Sequence, residues 1–337
     1  MIDLRSDTVT KPSPEMRRLM AAAKVGDDVY REDPTTGRLE EYAAYLTGKE
    51  AALLISSGTF GNLLAAMVLA RRGTEVLMHE AAHTMIYEQS GISAIVGAKP
   101  VTIAGLRGIL TAEAVEKKIN KAVPYYNEET SLIIIENSHN FCGGTVWSKT
   151  ELESLAAVAN KYNLPIHLDG ARIFNAAVAG GLSVKEISSY AGTITFCLSK
   201  GLGAPIGSVL CGDKTFIDKA LRWRKMLGGG MRQTGVLAAA GLYALENNVE
   251  RLAEDHNHAQ LLAKAFNESD WAQAECEPET NIIFAVTKGP AGEMVAKLKD
   301  KGILCFAMGP KRIRMVTHLD VSGSDIAKAC EAIKTVS

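Results

Sequence analysis

Residues 164–172 read Leu-Pro-Ile-His-Leu-Asp-Gly-Ala-Arg, and residues 193–200 read Thr-Ile-Thr-Phe-Cys-Leu-Ser-Lys. Each is a short apolar run that stops abruptly on polar residues, Asp169 to Arg172 in the first and Ser199-Lys200 in the second. Such runs are too short for helices and suit strands that stop where the polar residues begin, and their alternation with helical patterns is the signature of a mostly parallel sheet. Working outward, residues 51–55, 75–78 and 131–135 have the same character, and helical patterns at 39–46, 62–70 and 151–162 separate them. That alternation predicts an α/β large domain whose mostly parallel sheet is wrapped by helices. Past Gly241 the pattern changes to helices at 242–251 and 258–266, a strand at 281–286, a helix at 292–299 and strands at 303–306 and 312–316. This tail fits a smaller C-terminal α+β domain. The expected division is residues 1–246, with an N-terminal arm, and residues 247–337.

The chain has 337 residues, 47% of them hydrophobic, enough for a sizeable core without disulfides. Its 37 basic and 38 acidic residues leave a net charge of −1, with none of the basic excess that nucleic-acid binding requires. The six cysteines form no C-x-x-C pair and no zinc-ribbon spacing, so they read as buried thiols of a reduced, cytoplasmic protein. Asp3, Arg5 and Asp7 stand where a secretory signal would be apolar. Residues 51–70 carry no charge and are long enough to span a bilayer. Ser56-Ser57-Gly58-Thr59 and Gly61-Asn62 interrupt them, however, and two buried elements joined by a turn explain them better. No membrane or nucleic-acid partner is therefore expected.

In open α/β sheets ligands bind beyond the carboxyl ends of the strands. Four such ends carry polar residues here: Ser57-Gly58-Thr59, His79 to His83, Asp169 to Arg172 and Ser199-Lys200. The first is either a phosphate seat at a helix N-terminus or an ordinary turn with Thr59 as cap. No P-loop is present, and Gly201 to Gly207 is misspaced for G-x-G-x-x-G, which argues against a nicotinamide cofactor. His79-Glu80-Ala-Ala-His83 matches the zinc-peptidase pattern H-E-x-x-H, but the upstream β-type run places it where a strand stops rather than on a helix. A zinc peptidase is thus only an outside alternative, and no metal is assigned. Asp169, a carboxylate at a buried strand end, needs a partner, either Arg172 or a buried cationic ring. Lys200 is either a nucleophilic amine or a lysine reaching out from its strand. One cofactor combines these parts. Pyridoxal phosphate requires a lysine for the Schiff base, an acid opposite the pyridine nitrogen, a phosphate cup, a stacking ring and an arginine for a substrate carboxylate.

Longer stretches narrow this further. Asp3-Leu-Arg-Ser-Asp-Thr-Val-Thr-Lys-Pro12, Gly26-Asp-Asp-Val-Tyr30, Glu32-Asp-Pro34, His167 to Arg172, Cys197 to Pro205, Gly228-Gly-Gly-Met-Arg-Gln233 and Arg314-Met-Val-Thr-His318 occur in one order across the chain. In these the sequence resembles the low-specificity L-threonine aldolases, pyridoxal-phosphate enzymes of the aspartate-aminotransferase-like fold. The resemblance implies retro-aldol cleavage of β-hydroxy-α-amino acids to glycine and an aldehyde. It implies that Lys200 holds the cofactor as a Schiff base, Asp169 pairs with the ring nitrogen, and His83 stacks on the ring; His83, directly or through water, is also the candidate for the base. Arg172 would lie near the ring hydroxyl and the substrate, while Gly58 and Thr59 hold the phosphate. Ser6 and Arg314 would bind the substrate carboxylate, though a strand at 312–316 puts Arg312 on the same face as Arg314, and spacing cannot choose between them. Lys225 and Arg232 would reach an active site across a subunit interface, in dimers with shared sites that pair into tetramers.

A helix terminus contributes only about 0.3–1 kcal/mol toward an anion, so the turn at Gly58 would need help from charge-assisted hydrogen bonds of about 1.5–3 kcal/mol each and from the covalent link. Glu88 could orient His83, although a solvated helix face is its expected role. Family members often carry a histidine near position 126, where this chain reads Pro124-Tyr-Tyr-Asn127, and a tyrosine hydroxyl could take over its hydrogen bond. A phenylserine aldolase or a β-eliminating lyase are the alternatives using the same cofactor.

Overall fold

The computed structural model describes residues 1–121 and 124–336. Its strands are β1 (Ile2–Asp3), β2 (Ala51–Ile55), β3 (Glu75–His79), β4 (Lys99–Ile103), β5 (Thr130–Glu136), β6 (Ile166–Asp169), β7 (Thr193–Cys197), β8 (Ser208–Gly212), β9 (Ala272–Ala274), β10 (Ile282–Thr287), β11 (Ile303–Leu304), β12 (Phe306–Ala307) and β13 (Arg312–Val316). Seven of them form one sheet in the order β2-β8-β7-β6-β5-β3-β4. The pairs β3–β4, β3–β5, β5–β6 and β6–β7 are parallel, and β8 runs antiparallel to both β2 and β7. Only β8 therefore points against the rest, and the carboxyl ends of β2, β3, β4, β5, β6 and β7 lie along one edge. The expected mostly parallel α/β sheet is present. All seven residues of β5 are buried, as a strand covered by helices on both faces requires.

The charge-free stretch 51–70 is strand β2, a turn, and the helix Gly58–Leu69. That helix starts four residues before its apolar periodicity does, because Ser57 caps it: its Oγ accepts from the Phe60 amide at 3.2 Å. Among the described residues no helix is long and apolar enough to cross a membrane. A second, antiparallel sheet has the order β12-β13-β10-β9 and packs on the helices Leu252–Asn267, Ala291–Asp300 and Gly323–Thr335. The single strand expected at 303–306 is instead two. β11 pairs in parallel with the N-terminal β1, while β12 pairs with β13, and buried Cys305 lies between them. The helix expected at 242–251 is Gly235–Asn247, and a separate one begins at Leu252. All six thiols are free, but only Cys197, Cys211 and Cys305 are buried; Cys276 is exposed, against the expectation of six core cysteines.

Candidate active site

Because six of the seven strands end along one edge, the residues that follow them meet above it. A cleft of about 260 Å³ opens there, lined by Ser6, Thr8, His83, Tyr87, Asn140, Arg172, Lys200, Phe306, Met308 and Arg314. His83 follows β3, Asn140 follows β5, Arg172 follows β6 and Lys200 follows β7; the smaller sheet supplies Phe306 and Arg314 from β12 and β13. The N-terminal segment is laid in beside them, and the Thr10 hydroxyl donates to the Lys200 carbonyl at 3.2 Å. Ser6, Arg172, His83, Lys200 and Arg314, which sequence reasoning grouped, thus share one cleft.

Two buried networks hold these groups. In the first, Arg172 donates from Nε and Nη2 to the two carboxylate oxygens of Asp7, at 2.7 and 2.6 Å. The Asn140 Oδ1 accepts from Arg172 at 3.3 Å and from Arg314 at 2.6 Å, bridging the two guanidinium groups. Arg314 is 8% exposed and its Nε has no partner, so a buried cationic donor remains for an incoming anion. Burial, reinforced by the adjacent Arg172 charge, lowers the Arg314 pKa to about 10. Arg312 is taken up elsewhere: Glu275 accepts from its Nε and Nη2 at 2.6 and 2.7 Å, and its guanidinium lies 3.6 Å from the Phe284 ring centre. Of the two, Arg314 is the one that lines the cleft.

The second network runs beneath the cleft. Asn62, on the helix Gly58–Leu69, donates from Nδ2 to Glu88 at 2.9 Å and to Asp169 at 2.8 Å. Two carboxylates that only accept force this amide orientation, so Asn62 Oδ1 must accept, and His167 Nε2 at 3.0 Å is its donor. His167 Nδ1 then accepts from the Thr193 hydroxyl at 2.9 Å, and burial pushes its pKa down to about 4, keeping the ring neutral. Asp169 also accepts from the Ala171 amide at 3.1 Å. The arginine partner considered for it, Arg172, belongs to Asp7 instead.

His83 Nδ1 stands 2.9 Å from Glu88 Oε1, which assigns the proton to Nδ1 and leaves Nε2 basic. Burial works against the charged imidazole, but the Glu88 hydrogen bond and the nearby charges of Asp169 and Glu88 outweigh it and raise the His83 pKa above its ordinary 6.5. Glu88 is 7% exposed, not on the solvated face expected for it. His79 and His83 do not share a helix, since β3 ends on His79 and a short helix begins at His83. His79 engages the Gly105 carbonyl and the Ala81 amide, so the H-E-x-x-H zinc geometry is not formed.

Gly58 and Thr59 open their helix, and first-turn amides have no carbonyl partner within a helix. A Cβ on Gly58 would stand 2.9 Å from Cys197 Sγ, so glycine lets this terminus sit against the end of β7. Lys225 and Arg232 do not line the cleft of their own chain. Both are exposed, and Arg232 donates to Asp27 at 2.8 Å. They flank Gly228 to Gly230, where a Cβ on Gly229 would collide with the Phe60 ring beside the Gly58 turn. Tyr125 and Tyr126 are exposed and do not line the cleft of their own chain, whereas Tyr87 does. Sequence reasoning missed the roles of Asn62, Asp7, Asn140 and Tyr87. An asparagine inside the apolar helix at 58–69 was the one available signal.

Comparison with known proteins gives the family. The family Beta-eliminating lyase matches residues 3–289. The low specificity L-threonine aldolase of Escherichia coli (strain K12) is 44% identical over 330 residues, covering 97% of each chain. Low-specificity L-threonine aldolase 1 of Arabidopsis thaliana is 43% identical over 334 residues, 96% of this chain and 93% of that one. In fold, the threonine aldolase of Leishmania major superposes with a TM-score of 0.88 at 21% identity, over 99% of both chains. Full-length kinship and the family match place the chain in the low-specificity L-threonine aldolases, within the β-eliminating lyase family.

Proposed function

We propose that this chain is a pyridoxal-phosphate aldolase that cleaves L-threonine and L-allo-threonine to glycine and acetaldehyde. The observation that carries the reading is the convergence on one cleft of an amine (Lys200), a base-capable imidazole (His83) and a buried guanidinium with an unpartnered Nε (Arg314). The residues fit the cofactor. Asp169 is 2% exposed and ties up two donors, Asn62 and the Ala171 amide, which leaves acceptor capacity for a protonated ring nitrogen. The open amides at Gly58 suit a phosphate. When bound covalently through Lys200, the cofactor supplies an electron sink for the carbon left as Cα–Cβ breaks.

The chain's own groups do the rest. Arg314 and Ser6 orient the substrate carboxylate, and Asp7 and Asn140 keep the two arginines apart and in place. His83 Nε2 takes the β-hydroxyl proton, its tautomer held by Glu88. Phe306, Met308 and Tyr87 give the cleft an apolar and aromatic wall for the aldehyde side. Lys225 and Arg232 act at a neighbouring subunit's site, in a dimer that pairs into a tetramer. The test is product analysis with purified holoenzyme: glycine and acetaldehyde in equal amounts support the reading, whereas ammonia and a keto acid would assign β-elimination.

Two variants probe the assigned roles. Since His83 must be neutral to accept a proton, kcat/KM falls as pH drops through its raised pKa. Glu88→Gln removes a charge and an acceptor that favour the imidazolium, so the acid limb of the pH–rate profile moves to lower pH. kcat falls roughly tenfold, part of the 10²–10⁴ that such groups supply. An unmoved limb would rule out the dyad. Thr59→Ala loses one charge-assisted hydrogen bond, so cofactor retention in equilibrium dialysis weakens roughly ten- to hundredfold while kcat of the loaded enzyme holds.

A further inference from the structure

We infer that His79, His139 and Cys142 form a binding site for a borderline divalent cation of the zinc class, separate from the Lys200 cleft. One ligand atom from each lies within 4.8 Å of the other two, close enough for a single ion to reach all three after small side-chain rotations. Two imidazoles and a thiolate are the donor set that such ions prefer over magnesium or calcium. None of the three lines the cleft.

His139 supplies the independent evidence. It is 0% exposed, and neither of its ring nitrogens has a hydrogen-bond partner. A buried polar group without a partner calls for an explanation, and an unmet ligand is one. The ring is also held in place. It meets His79 edge to face, with centroids 4.9 Å apart and planes at 83°, and a Cβ on Gly108 would stand 2.4 Å from its Cδ2. The Glu136 carboxylate is 3.8 Å from His139 Nε2, too far to hydrogen-bond but near enough to favour a cation. Half-buried Cys142 gives access from solvent.

Binding requires two exchanges. Cys142 loses its thiol proton to solvent as the metal–sulfur bond forms. His79 now has Nε2 3.0 Å from the Gly105 carbonyl and accepts from the Ala81 amide at Nδ1, and it gives up one of these bonds to the ion.

The experiment is a titration of holoenzyme with zinc sulfate in competition with a chromogenic chelator. One zinc per chain is expected, with affinity reduced at least tenfold in Cys142→Ser and in His79→Asn. Cys276→Ser should leave it unchanged, because that exposed thiol lies beside Gly143 but outside the cluster. His139→Asn risks misfolding, so Cys142→Ser, at a half-buried position, decides. Absence of stoichiometric zinc, affinity unaffected by Cys142→Ser, or loss of binding in Cys276→Ser would each overturn the site.

Discussion

Lys200→Ala is expected to lose aldol cleavage by several orders of magnitude while the protein stays folded. The two halves of that expectation have separate physical grounds. Cleavage of Cα–Cβ leaves an electron pair that no amino-acid side chain can delocalise, so the reaction depends on a cofactor held where substrate binds. Lys200 is the amine that emerges from β7 into the cleft, beside His83 and Arg172. Among the described residues its amino group makes no hydrogen bond or ion pair; the Lys200 contact to Thr10 is through the backbone carbonyl, which alanine retains. Truncating a half-buried, unpaired side chain shifts stability by about 0.5–1 kcal/mol. Turnover assays and thermal unfolding on one preparation check both halves. Wild-type turnover by Lys200→Ala would remove the central assignment, and a collapsed melting transition would show that this lysine is structural.

Asp7→Asn should produce the largest loss of stability, with a loss of substrate binding alongside it. Asp7 is fully buried, accepts two hydrogen bonds from Arg172, and receives a third from Asn281 Nδ2 at 3.2 Å. Asparagine keeps the shape but leaves the Arg172 guanidinium charged and uncompensated in the interior. Breaking a buried pair on one side costs about 3–5 kcal/mol, a large share of the 5–15 kcal/mol of a typical domain. Since Arg172 and Arg314 share Asn140 as acceptor, the disturbance spreads to the carboxylate end of the cleft, and KM for the amino acid rises more than kcat falls.

The pH dependence has a definite sign. Burial alone would raise the Asp7 pKa, but the charge and hydrogen bonds of Arg172, with Lys200 and Arg314 nearby, hold it far below the ordinary carboxylate range. A depressed native pKa means the stabilisation is complete above the unfolded value of about 3.9 and fades as pH falls through the native one. Urea unfolding of wild type and variant should therefore differ by a constant amount near neutrality and converge only in strong acid. A variant as stable as wild type at pH 7 would show that Arg172 is solvated or otherwise paired.

Much of this architecture was legible in the residues. The runs at 51–55 and 312–316 are strands with those boundaries, and the polar residues placed beyond 169 and 200 stand at strand ends, because a buried parallel strand must end where its apolar run ends. Lys200, His83 and Arg314, named from the sequence, line the cleft, and Asp169 is buried at the end of β6 against Asn62. Glu88 was not read as buried, because five-residue spacing from His83 says nothing about which way a short helix turns. Tyr125 and Tyr126 lie outside the cleft of their own chain, which the spacing of residues 124–127 does not reveal.

What the sequence by itself determined is the alternation of elements, the edge where polar residues gather at the strand ends, and the family. The first two follow from local patterning, since hydrophobic period and strand polarity act within a few residues of each position, and the family follows from the resemblance of long stretches in one order along the chain. Only the tertiary structure decided the partners. Asp7 meets Arg172 across 165 positions and Asn62 meets Asp169 across 107; Arg314 rather than Arg312 faces the cleft because Glu275 and Phe284 hold its neighbour. A buried charge takes whichever complementary group the packed chain brings within hydrogen-bond reach, and that reach is a distance in space that spacing along the chain does not contain.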